Sequence, residues 1–150
     1  MTLQTHQIET AIHDIHDFFT DWVGGRCPGD AETFRKNALD RISDDLVAIF
    51  PAGQRFDKKD FEGYMASIYG SNPDFRIKIR DIRVSQIRDG MAVLNYEEWQ
   101  RDAKDSDKPN NGRVTTMVVG ERPVNGGLEI LQVHETWLPD DVVASGDFDF

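Results

Sequence analysis

FRIKIRDIRVSQIRDGMAVLNYEEWQ (residues 75–100) is the stretch whose periodicity decides the fold. Phe75, Ile77 and Ile79 alternate with Arg76, Lys78 and Arg80, the period of two that a half-buried strand requires. The phase then slips, because the next apolar positions are Ile82 and Val84. Such a slip turns every later side chain to the other face unless an extra residue is absorbed. The pattern therefore predicts a β-bulge near Arg80–Asp81, and a bulge bends its strand. Asp89-Gly90 is a hairpin signal, after which 91–100 returns antiparallel. A polar loop (102–112, DAKDSDKPNNG) precedes RVTTMVV (113–119) and LEILQVHETWL (128–138), a second long hairpin turning around Glu121–Gly127.

Upstream, the period changes to that of a helix. Ile8, Ala11, Ile12, Ile15, Phe18, Phe19, Trp22 and Val23 form one stripe over 5–23, stopped by Gly24 and Gly25. Asp30 is placed to cap a second helix carrying Phe34, Ala38, Leu39 and Ile42 inward. LVAIFP (46–51) reads as a short buried strand. Asp57 and Asp60 form a capping-box pair for a third helix, with Phe56 and Phe61 spaced as a hydrophobic staple. Its buried stripe is Phe61, Tyr64, Met65, Ile68 and Tyr69, and Gly70 ends it. The expectation is an α+β fold: three N-terminal helices packed on a strongly bent, mainly antiparallel sheet. Residues 1–139 are read as one domain and 140–150 as an acidic, mobile tail whose Phe148 and Phe150 could dock on a neighbour.

The chain has 150 residues, 39% hydrophobic and 29% charged, enough for one sizeable core. Its 27 acidic and 17 basic residues give a net charge of −10, which argues against a nucleic-acid partner. The basic run Arg76, Lys78, Arg80, Arg83 and Arg88 fits a solvated strand face or half of a subunit contact better than an anion-binding ribbon. No apolar stretch reaches membrane-spanning length, so no membrane partner is expected. The acidic amphipathic N-terminus does not resemble a signal peptide. The lone Cys27 fits a reducing compartment, and the reading is cytoplasmic.

Three motifs then carry a resemblance. VHETWLP (133–139) resembles the V-H-x-H-W-S-P ending of SnoaL-like proteins and of the association domain of calcium/calmodulin-dependent protein kinase II. Asp89-Gly90-Met-Ala-Val-Leu and SDDLVAIFP (43–51) are similar to two further strands of those families. Together they identify the chain as resembling the nuclear-transport-factor-2-like, cystatin-like superfamily. That resemblance implies a cone with a pocket between sheet and helices, and a homodimer through the sheet's outer face. One departure matters: Thr136 stands where relatives carry a second histidine, and Leu138 where they carry serine, so a two-histidine site is not expected.

Alternation on the last strand puts Ile130, Gln132, His134 and Thr136 on one face and Leu131, Val133, Glu135 and Trp137 on the other. By resemblance the histidine face points into the cone, and Leu131, Val133, Glu135 and Trp137 would meet a second subunit. His134 is the candidate acid or base, since imidazole titrates near neutrality. The kinase association domain places a pocket arginine at the position of Glu97, which favours Asn95, Glu97 and Trp99 inward over Tyr96 and Glu98. Glu97 would assist His134. Trp22, Tyr64, Asn95, Trp99, Gln132 and Thr136 are the candidate ligand-binding residues, with core packing as the alternative for the aromatic ones.

His6, His13 and His16 on the first helix are read as surface histidines, and no metal site is expected. The Asp105/Asp107 pair lacks the glycine of a calcium loop. No glycine-rich phosphate loop, Cys-x-x-Cys or serine elbow is present, and no cofactor is expected. Two functions remain open. One is a cofactor-independent isomerase, dehydratase or cyclase acting on a small apolar carbonyl compound. The other is a non-catalytic ligand-binding or association module.

Overall fold

The computed structural model describes residues 2–122 and 127–150. In chain order these form α1 (Thr5–Gly24), α2 (Ala31–Asn37), a 3-10 turn (Leu39–Arg41), β1 (Ile42–Ile49), β2 (Arg55–Phe56) and α3 (Lys58–Ile68). There follow β3 (Arg76–Arg88), β4 (Met91–Arg101), β5 (Asn111–Glu121), β6 (Leu128–Trp137) and α4 (Asp140–Ala144). One six-stranded sheet has the order β2-β1-β6-β5-β4-β3. Every pair is antiparallel except β1 with β6, a parallel seam that joins Ala48 to Val133 and Ile49 to His134.

The helices start and stop where local chemistry dictates. Gly25 takes a left-handed conformation (φ 70°) behind α1, which lets the Gly25 and Arg26 amides reach back to Trp22 and Asp21. Asp30 caps α2 by accepting from the Thr33 amide at 2.8 Å. The Asp57–Asp60 box closes at the head of α3. Phe56 and Phe61, the two staple positions, belong to the same apolar cluster. Phe56 also packs on Phe50 and Tyr64, and Phe61 on Phe19 and Phe34.

The bend sits where the phase slip predicted it. Pairing between β3 and β4 shifts between Arg80 and Arg83, and Asp81 is left-handed (φ 60°). Asp89 (φ 49°) and Gly90 (φ 76°) make the tight turn, both left-handed as a two-residue hairpin needs. The tip of the second hairpin, 123–126, lies outside the described residues.

The curled sheet closes over α1. Ile8, Ile12 and Ile15 of α1 meet Ala92 and Leu94 of β4 and Met117 and Val119 of β5 in one cluster. A second cluster gathers Trp22, Phe34, Leu39, Met65 and Phe75 at the wide end. The acidic tail lies against the outer face of the sheet, with Phe148 edge-on to Trp99 at 5.4 Å between ring centres.

Candidate functional site

Between the concave sheet face, α1 and α3 lies a cavity of about 430 Å³. Its walls are mostly apolar, with Phe19, Phe50, Phe56, Phe61 and Phe75 prominent, and Tyr64 stands half exposed at its edge. Among its polar lining, His16, Tyr96, Glu98, Gln100, Arg113 and Glu135 form one neighbouring group, while Gln54, Asn72 and Asp105 line it as well. A second cavity of about 470 Å³ beside the N-terminal half of α1 is lined by Lys36, Asp14, Asp40, Arg41 and Arg122. Most of its charges are committed: Lys36 bridges Glu32, Arg41 approaches Asp14, and Arg122 donates to the Asp40 carbonyl. The first cavity is the candidate site.

His16 owes its position to α1. It follows Ile15 on the apolar stripe, one turn after Ile12, so the helix drives it into the cone. Its Nδ1 lies 2.7 Å from the Ile12 carbonyl and its Nε2 3.1 Å from Glu98 Oε1. Both neighbours are acceptors, so both ring nitrogens must carry protons, and the ring is an imidazolium. Burial acts to lower its pKa, but the Glu98 bond and charge, the Ile12 carbonyl and the Glu135 charge outweigh burial and raise it.

Burial likewise acts to raise Glu98, yet the His16 bond and charge, the Arg113 charge and the Gln100 amide bring it down to about 2. Gln100 Nε2 donates to Glu98 Oε2 at 2.6 Å. That fixes the amide so that its oxygen faces Asn111 Nδ2 at 3.5 Å, and Asn111 Oδ1 accepts from Arg113 Nη2 at 3.0 Å. Arg113 Nη1 in turn meets Glu135 Oε2 at 3.4 Å. Two ion pairs are thus linked through two amides into one directed network.

Glu135 is the loose end of that network. Arg113 is its one hydrogen-bond partner among the described residues, at a long distance. Burial, then the Glu98 charge, push its pKa up to about 7, against the pull of Arg113 and His16. Arg113 keeps a buried Nε without a partner among the described residues. Tyr96 is held as the neutral phenol, its pKa raised well above the usual value by burial and by the charges of Glu98 and Glu135.

Of the residues expected from sequence, Tyr64 reaches this cavity. Six others are brought together on the opposite, outer face. There His134 pairs with Thr116, which pairs with Asn95; Asn95 Nδ2 donates to Thr116 Oγ1 at 2.7 Å. Thr136 pairs with Val114, and Val114 with Glu97; Gln132 pairs with Val118. Trp99 donates from Nε1 to Glu97 at 3.0 Å beneath the tail. The eighth, Trp22, is core: it donates to the Met65 carbonyl at 2.7 Å and packs on Phe34 and Tyr69.

The face reading of β6 is therefore corrected, and the cause is a bulge in β6 itself. Val118 pairs with Gln132 but Val119 with Ile130, so Leu131 is an extra residue. Ile130 points inward as expected, but the extra residue flips the alternation, and Val133 and Glu135 follow it into the cavity in place of Gln132 and His134. The proposed subunit contact through Leu131, Val133, Glu135 and Trp137 is corrected with it. Val133 and Glu135 line the cavity, and Trp137, paired with Arg113, is flanked by the cations of Lys108 and Arg113 at 5.1 and 5.0 Å. On β4 the inward face is Ala92, Leu94, Tyr96 and Glu98. His16, read from sequence as a surface histidine, is the residue that the stripe could have revealed.

No family model and no curated protein matches this sequence. Solved structures do. A nuclear-transport-factor-2-like protein of unknown function from Pseudomonas aeruginosa is 26% identical, with 89% of this chain covering 99% of that one at a TM-score of 0.77. The fold is that of the nuclear-transport-factor-2-like, cystatin-like superfamily, as the sequence motifs implied. An uncharacterised cystatin-like protein from Caulobacter vibrioides is 15% identical over 93% of both chains, with a TM-score of 0.66. The hub homology domain of calcium/calmodulin-dependent kinase II from Chlamydomonas reinhardtii is 13% identical, covers 89% of this chain and 98% of its own, and has a TM-score of 0.63. Among the described residues no helix is long and apolar enough to cross a membrane.

Proposed function

We propose that the chain is a cofactor-independent acid–base enzyme of the cone fold, acting on a small, largely apolar carbonyl compound that it isomerises, dehydrates or cyclises. The observation that carries this reading is Glu135, a buried carboxyl in an apolar cavity, loosely held and titrating near neutrality. A group with its pKa near the working pH is the one best suited to take and return a proton. As carboxylate, Glu135 removes the proton α to the carbonyl. The developing enolate oxygen accepts a hydrogen bond from the Tyr96 hydroxyl. Glu135 then returns its proton to the new position. His16 and Glu98 act as a fixed ion pair, in which the Glu98 charge raises the pKa of Glu135 and the His16 charge tempers that rise.

The test is proton exchange. Small cyclic and aromatic ketones are incubated with the protein in D₂O, and deuterium α to the carbonyl is followed by NMR. Exchange should be abolished in Glu135→Gln and unchanged in His134→Ala. Exchange that survives Glu135→Gln would overturn the assignment.

A second reading, a dimeric association module, is favoured by the outer face. Its exposed Val114 (37%) lies among His134, Thr116, Asn95 and Thr136, a mixed polar–apolar patch suited to a second copy. Native mass spectrometry should then give a dimer that Val114→Asp dissociates. A cytoplasmic setting suits the unpaired Cys27.

A further inference from the structure

The outer face of β3 and β4 carries a different kind of site. Trp99 is 4% exposed although it points away from the cavity, and the segment Gly146–Phe150 covers it. The Arg80 guanidinium lies between two rings, 4.9 Å from Trp99 and 5.6 Å from Phe150. Arg101 stacks on the same Phe150 ring at 5.6 Å. Arg80 Nη2 also donates to the Asp147 carbonyl at 2.6 Å. Phe148 meets Trp99 edge-on and leans on Phe150 at 6.2 Å. At Gly146 the backbone lies so close to the indole that an added Cβ would stand 2.2 Å from Trp99 Cζ3.

The segment reads Gly-Asp-Phe-Asp-Phe, and the two kinds of side chain separate. Phe148 and Phe150 are half buried, while Asp147 and Asp149 stay exposed. On a chain of net charge −10, Arg80 and Arg101 make a local basic pair that matches this acidic–aromatic pattern. Aromatic faces and guanidinium planes supply the attraction, and the backbone bond to Arg80 supplies register. This is how a peptide is recognised, with a glycine giving close approach and two alternate anchors giving specificity.

We propose that Arg80, Trp99 and Arg101 form a docking seat for an acidic–aromatic peptide segment, and that its partner is a second copy of this chain, which inserts its own 146–150 segment by exchange. Every copy carries both seat and segment, and the contacts are the same whichever chain supplies the segment. Exchange is then decided by concentration and by the reach of the Ser145–Gly146 link rather than by new contacts.

Two full-length double variants test the proposal. Phe148→Ala/Phe150→Ala empties the seat, and Arg80→Glu/Arg101→Glu destroys it while leaving the segment intact. A fluorescein-labelled peptide, Ser-Gly-Asp-Phe-Asp-Phe, is titrated by fluorescence polarisation. It should bind the emptied chain at least about ten-fold more tightly than the wild type, whose resident segment competes, and it should not bind the charge-reversed chain. Failure to bind the emptied chain, with its circular dichroism and melting intact, overturns the seat. In the second arm, immobilised charge-reversed chain should capture the emptied chain several-fold more than the emptied chain captures itself. Equal capture overturns exchange with a second copy and leaves the segment as a purely internal contact. Neither arm depends on Glu135 or on the cavity.

Discussion

Glu97 and Glu98 are consecutive on β4, yet they live in different media. Glu97 sits on the outer face and accepts one bond from Trp99. Glu98 is 7% exposed, accepts from an imidazolium and an amide, and is ionised in the apolar interior. The same residue type one step apart thus serves a partly wet strand face or the anchor of a buried charge network. What separates them is strand phase alone, which gives the sheet an inside and an outside that can be tested independently.

The contrast is sharpest when each carboxylate is removed. Glu98→Ala strands the His16 imidazolium in the core and should cost about 3–5 kcal/mol in urea unfolding. Glu97→Ala loses one partly exposed hydrogen bond and should cost about 1 kcal/mol or less. Equal losses would erase the distinction between the two faces.

Glu135 should behave in the opposite sense. Its folded-state pKa of about 7 lies above the ordinary 4.5, so the folded protein binds this proton more tightly than the unfolded chain. The stability it contributes is full below pH 4.5 and is lost as pH rises through 7. Glu135→Gln cannot ionise, so at pH 8 it should be more stable than wild type by on the order of 3 kcal/mol, with the gain fading toward pH 4. Thermal melts across pH 4–8 check the sign. His16 also loses stabilisation as pH rises through its raised pKa, in both proteins but earlier in the variant, which lacks the Glu135 charge. The smallest effect belongs to the outer histidine: His134→Ala, at an exposed strand position, should shift unfolding by no more than about 0.5 kcal/mol.

The fold was legible wherever apolar periodicity spoke without interruption. The α1 stripe, the Asp57–Asp60 box, the Asp89-Gly90 turn and the Asp81 bulge follow from residue spacing. The site was harder to read for three physical reasons. The bulge at Leu131 has no compositional mark, because Ile130, Leu131 and Val133 are all apolar and either register buries some of them. The resemblance, with its pocket arginine at the Glu97 position, suggested an inward face for Asn95, Glu97 and Trp99, but the apolar cover of Trp99 is the tail, a long-range contact that strand alternation cannot show. His16 was discounted for its polarity, although Ile12, Ile15 and Phe19 around it mark the position as buried. Six of the candidate residues thus lie on the outer face of a correctly drawn sheet.

The parallel seam between β1 and β6 has a kinetic consequence. It joins strands from opposite ends of the fold, whereas β3 through β6 meet their neighbours through hairpins and turns. Local pairings form before distant ones, because distant ones must first overcome the entropy of closing a long loop. The meander can therefore assemble while the cavity still gapes, and the docking of Ala48 beside Val133 is the step that shuts it. Amide hydrogen exchange should find β1 opening before β4.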